Sequence, residues 1–279
     1  MSLQEQSPTH KLHQYVLEVV VFGPLRPAID LQRTTQRALK AHSQGRDFFT
    51  EITLRESRHI GGMRVDYTVT ASSPHAAERA GSVYLSQLCD LLSVLTRAPV
   101  WFYMPNEDAS EDRIRTNRRT TSIERILTEP EWSWITGNLV FLRREHPSFL
   151  AAASWYRKGI IGSDLIDNFC CFWRVIERLA FSYVDKSTWS EDERAKSAPR
   201  KCVSQLGSDL FQDTSVPEIL GDSAIISRIL KLRNDLSHGN IPVTLDVIDA
   251  ANEYLKPLEE TAFSVLQRIK QQELILRNP

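Results

Sequence analysis

The hydrophobic pattern alternates between strand and helix periods up to about residue 104 and keeps the helical period after Ser122, and that change implies two different kinds of packing. In "MRVDYTVTA" (63–71) Met63, Val65, Tyr67 and Val69 alternate strictly with polar residues, so they share one face of a strand. "YVLEVVVF" (15–22) is β-branched and aromatic and reads as a buried strand, broken by Pro24 and Pro27. "FFTEITLR" (48–55) alternates as a half-buried strand should, and Gly61–Gly62 turns it into a hairpin with 63–71. Between the first two strands, "DLQRTTQRALKAH" (30–42) places Leu31, Thr35, Ala38 and Leu39 at helical spacing, which predicts a helix. "SSPHAAERAGSVYLSQLCDLLSVLT" (72–96) predicts a second helix. Ser72 or Ser73 caps it, Pro74 suits its first position, and Ala77, Ala80, Tyr84, Leu88, Leu91, Leu92 and Leu95 form its stripe. A strand over "PVWFYM" follows. The expected order is β-α-β-β-α-β, a ferredoxin-like α+β domain over residues 1–104.

"MPNEDASEDRIRTNRRTTS" (104–122) starts acidic and turns basic. Its Arg113, Arg115, Arg118 and Arg119 make a candidate RNA-binding patch, against the plainer reading of a solvated charged loop. Residues 105–145 read as a linker and connecting helix. From there on the period is that of helices: "HPSFLAAASWYRKGI", then "SDLIDNFCCFWRVIERLAFSYV", then a polar stretch over 185–201, then "DSAIISRILKLRNDL" with Asp222 or Ser223 as cap. A last helix begins near Leu245, and Pro257 should kink or split it. Residues 146–279 therefore predict an all-α bundle.

A formal net charge of −1 over 279 residues gives the whole chain no strong field, so attraction to an anionic partner must be local. Cys89, Cys170, Cys171 and Cys202 make no Cys-x-x-Cys pair, and the histidines lack metal-ligand spacing. No metal or cofactor is expected. Without a disulfide framework, an apolar leader or a run of the roughly 20 apolar residues a span needs, the expectation is a cytoplasmic protein with no membrane partner.

One stretch carries chemistry. "LKLRNDLSHGNIP" (230–242) places Arg233, Asn234 and His238 at a helix end before Gly239. Metal-independent RNA cleavage needs a base for the 2′-hydroxyl, a cation for the phosphoryl oxygens and an acid for the 5′-oxygen. Histidine titrates near neutral pH, arginine offers a permanently charged planar fork, and asparagine can orient either. Spacing alone is weak: Arg37 and His42 repeat it inside "RALKAH", without the asparagine or the glycine.

"LRNDLSHG" between two C-terminal helices resembles the signature of the HEPN superfamily (higher eukaryote and prokaryote nucleotide-binding), and within it bacterial proteins with Apea-like or MauJ-like C-terminal domains. The resemblance covers roughly residues 146–272. It implies a small helical domain that forms a homodimer and, in many members, a metal-independent endoribonuclease of toxin, defence or RNA-processing systems. Arg233, Asn234 and His238 then take the catalytic roles. "DNFCCFWRVIERL" resembles an earlier core helix of such proteins, in which Glu177 is the candidate acidic residue facing the motif. The plainer reading of Glu177 is a surface salt bridge with Arg174 or Arg178. Expected partners are RNA, a second copy of the chain and a regulatory protein. The alternative function is a non-catalytic dimerisation or RNA/nucleotide-binding module behind a sensing N-terminal domain.

Overall fold

The computed structural model describes residues 13–28, 31–34, 38–40, 46–56, 62–103, 125–193, 198–272 and 274. Arg113, Arg115, Arg118 and Arg119 lie outside them, as do Arg37 and His42. The protein is mixed α+β, with an antiparallel sheet in its N-terminal part and helices in its C-terminal part. It divides into two compact units, residues 1–88 with 101–136, and residues 89–100 with 137–279.

In the first unit the strands are β1 (His13–Phe22), β2 (Leu25–Pro27), β3 (Leu31–Thr34), β4 (Ala38–Lys40), β5 (Arg46–Glu56), β6 (Gly62–Ala71), β7 (Trp101–Tyr103) and β8 (Arg125–Leu127). The main sheet runs β3-β5-β6-β1-β7, with β4 also on β5. Val19 pairs with Val65 and Val21 with Met63, and all four are buried, as period-2 alternation requires. Helix α1 (Pro74–Thr96) starts on Ser73, whose Oγ accepts from the Ala76 N–H at 3.1 Å. Gly81 of α1 sits against Tyr67 of β6: a Cβ there would lie 1.6 Å from the Tyr67 hydroxyl oxygen. The chain leaves β6 through α1 and returns as β7 on the far side of β1.

The helix expected over 30–42 is not formed by its described residues. Leu31–Thr34 and Ala38–Lys40 are β3 and β4, both antiparallel to β5. Leu31 pairs with Leu54 and is 2 % exposed, a burial that a short helix of three apolar residues could not match. Thr34 is β-branched, and the open edge of β5 supplies hydrogen bonds, so pairing outweighs a weak local helix preference. The expected β-α-β-β-α-β order thus loses its first helix. The sequence reading also passed over β2 and β8, which pair in parallel.

The remaining helices are α2 (Glu129–Glu145), α3 (Pro147–Ile161), α4 (Leu165–Tyr183), α5 (Ala198–Leu210), α6 (Glu218–Gly221), α7 (Ser223–Ser237) and α8 (Leu245–Gln272). Helix α4 packs against α3, α5 and α8. Phe169, Phe172, Trp173, Ile176 and Leu179 bury there beside Tyr156, Leu258 and Val265, each fully buried side chain contributing about 1.5–3 kcal/mol. Helix α5 starts within the last residues of the stretch read as polar and continues beyond it, over residues to which the sequence reading assigned no element; its Cys202, Val203, Leu206 and Leu210 face the core. Helix α8 runs unbroken through Pro257, so of the expected kink or split the split does not occur. Ala251, Tyr254, Leu258 and Ala262 anchor both sides, while Pro257 is exposed and the carbonyl it leaves unpaired can face water. No helix among the described residues is long and apolar enough to cross a membrane.

Within the second unit one ion pair is deeply buried: Arg157 Nε donates to Asp90 Oδ1 at 2.6 Å, with the side chains 11 % and 4 % exposed. Arg157→Ala strands the carboxylate, so urea unfolding should show a loss of about 3–5 kcal/mol. Replacing both residues by similarly sized apolar ones should recover most of it.

Candidate functional site

Asp222 caps α7 by accepting from the Ala224 N–H at 2.6 Å and the Ile225 N–H at 3.3 Å. Ile225, Ile226 and Ile229 bury one face, which fixes the helix's rotation and leaves its last turn polar. The helix ends as a Schellman motif. The Gly239 N–H donates to Leu236 O at 3.2 Å and the Asn240 N–H to Asp235 O at 2.8 Å. Gly239 takes φ +66°, the left-handed region that favours glycine. His238 is the capping residue itself, exposed, and its N–H donates to Asn234 O at 3.0 Å.

Arg233 sits one turn earlier. Its Nη2 donates to Glu177 Oε2 of α4, and its Nη1 donates to Asn234 Oδ1 at 2.8 Å. The arginine and glutamate side chains are 21 % and 17 % exposed. Three of the four proposed site residues are therefore joined directly, and His238 is tied to Asn234 through the backbone. Glu177 does not pair with Arg174 or Arg178. The Arg233 Nε is buried with no hydrogen-bond partner among the described residues, a donor that an acceptor would satisfy. The His238 imidazole makes no side-chain hydrogen bond to another described residue.

A cleft of about 530 Å³ opens beside this helix end, with Leu236 and Ser237 in its wall. That volume is in the range of small-ligand sites. Opposite them lie Trp155 and Lys158 of α3, and Asp167, Cys170 and Arg174 of α4. Lys158 Nζ stands 4.4 Å and Arg174 Cζ 4.5 Å from the Trp155 ring centroid. Burial pushes the Cys170 and Cys171 thiols up from their ordinary value, so both stay neutral in the wall. Sequence reasoning considered Arg174 only as one of two mates for Glu177, and missed the cleft. The signal was partly there: Trp155 and Lys158 are three apart on one helix face.

No family model matches the sequence, and no curated protein or solved structure matches the chain. Among the described residues no three His, Cys, Asp or Glu side chains are grouped so as to hold a metal ion.

Two variants test this geometry. Nothing lies within 4 Å of a Cβ placed on Gly239, so Gly239→Ala should cost about 1 kcal/mol from backbone strain alone. A double-mutant cycle of Glu177→Gln and Arg233→Met, read by urea unfolding, should give a coupling of about 1.5–3 kcal/mol. A coupling near zero would show that the pair does not hold α4 to α7.

Proposed function

We propose that the helical part is a HEPN-type, metal-independent endoribonuclease acting as a homodimer. The observation that carries the reading is the fixed Arg233 fork, held between Glu177 and Asn234 and one turn from an exposed His238. Holding the guanidinium by two of its donors preorganises it for phosphoryl oxygens at no cost during reaction. One chain brings one imidazole and one fork, which is too few for both proton transfers. Two copies about a twofold axis bring two of each to a single phosphodiester.

In this mechanism one His238 takes the proton of the 2′-hydroxyl, and the oxygen attacks the adjacent phosphorus in line. Arg233 stabilises the charge that builds on the phosphoryl oxygens. The partner's histidine protonates the departing 5′-oxygen. The products carry 2′,3′-cyclic phosphate and 5′-hydroxyl ends. Asn234 and Glu177 position Arg233. Regulation by a protein partner and action in a toxin or defence setting are part of the same reading.

His238→Ala and Arg233→Ala should each slow RNA cleavage in EDTA by roughly 10²-fold or more, with circular dichroism unchanged. Arg233→Lys keeps the charge but not the fork, and should recover little. Wild-type cleavage rates in the purified His238→Ala protein would end the proposal.

A second reading is a non-catalytic dimerisation or RNA/nucleotide-binding module. The observation favouring it is the Glu177 carboxylate, which offsets the Arg233 charge that catalysis would use. It expects dimers by sedimentation and no turnover of any RNA.

A further inference from the structure

The cleft beside α7 carries charges that the cleavage mechanism does not use. Lys158 and Arg174 both lie over Trp155, and neither has an ion-pair partner among the described residues. The indole holds them where a flexible surface lysine or arginine would roam. The Asp164 carboxylate caps α4, accepting from the Asp167 N–H at 2.9 Å. The Asp167 carboxylate, also in the lining, makes no ion pair of its own within the described residues. The cleft thus offers two fixed cations and a free carboxylate.

That lining suits neither a simple anion nor a simple cation. A bare phosphate would be drawn to Lys158 and Arg174 but repelled by Asp167. A molecule with a phosphate at one end and a pair of N–H donors at the other satisfies all three. Among the four RNA bases only guanine presents two neighbouring donors, N1–H and the N2 amino group, to one carboxylate. Its adjacent edge shows O6 and N7, the acceptor pair that arginine binds with both prongs of its fork.

We infer that this cleft binds a guanine nucleotide, with Asp167 on the N1/N2 edge, Arg174 on O6 and N7, and Lys158 on the phosphate. Neutral thiols at Cys170 and Cys171 add no competing charge. Because Leu236 and Ser237 form part of the wall, the bound nucleotide lies next to His238. On the ribonuclease reading, on which this part rests, the cleft selects a guanosine beside the scissile bond.

The test is titration calorimetry of the full chain with the four nucleoside monophosphates, alongside cleavage mapping on RNAs with and without guanosine. Guanosine monophosphate should bind about tenfold or more tighter than the other three. Asp167→Asn should erase that preference, and Lys158→Ala should weaken all four alike; both residues are exposed, so thermal melts should be unchanged. Cuts gathered at guanosines, and scattered in Asp167→Asn, assign the site to an RNA residue. Guanosine monophosphate binding without cleavage of any RNA keeps the cleft as a free-nucleotide site and removes the ribonuclease reading. Equal binding of the four, or none, overturns the inference, whether or not RNA is cut.

Discussion

Helix α4 can be stable only at the centre of a bundle. Phe169 to Trp173 are five consecutive buried residues, and five residues at 100° each pass more than once round the helix. Over that stretch no face is left for water, so the helix must be covered on several sides there. Helices α3, α5 and α8 provide that enclosure. The chain must also supply long apolar faces elsewhere, which is why α8 stays helical through Pro257 and why α5 buries Cys202, Val203, Leu206 and Leu210 behind a polar first turn.

A helix so enclosed has few directions in which to release polar groups. Asp167, Cys170, Arg174 and Glu177 follow one another at spacings of three and four, a single line about 15 Å long. The first three border the cleft, and the last grips Arg233. The same line is met by the final turn of α7, where Leu236 and Ser237 close the wall and His238 ends the helix. The polar exit of the core helix and the candidate chemistry coincide because α4 is buried elsewhere along its length.

Much of this was legible from residues alone, and the rest was hidden for identifiable reasons. Period-2 alternation located β5 and β6, since a register slip would turn Val65 and Val69 to water, and β-branched, aromatic composition located β1. Caps located α1 and α7, since Ser73 and Asp222 announce their own hydrogen bonds. The 30–42 segment misled because its pattern fits either period, and only the free edge of β5, a long-range feature, decides between them. At the site, the motif and its glycine could be read directly. The identity of the Glu177 partner could not, because Arg174, Arg178 and Arg233 are equally charged and only the packing of α7 on the bundle selects one.

The selected partner sets the terms on which Arg233 can act. A guanidinium has five N–H donors in one plane. Glu177 takes one on Nη2, Asn234 takes one on Nη1, and Nε is buried without a partner. The remaining donors on the two terminal nitrogens must serve any phosphoryl oxygen. Glu177 lowers the net positive field at this point but removes the rotamer freedom of a long side chain, which costs up to about 2 kcal/mol to fix. On the ribonuclease reading proposed above, attraction to RNA is therefore weakened at the ground state, where the charge of the pair is balanced. It is retained where geometry matters, because the fork is already aimed when the equatorial oxygens gain charge. On the proposed mechanism such an arrangement favours the transition state over bound substrate, and affinity is left to a neighbouring surface, the part that the nucleotide inference gives to Lys158 and Arg174.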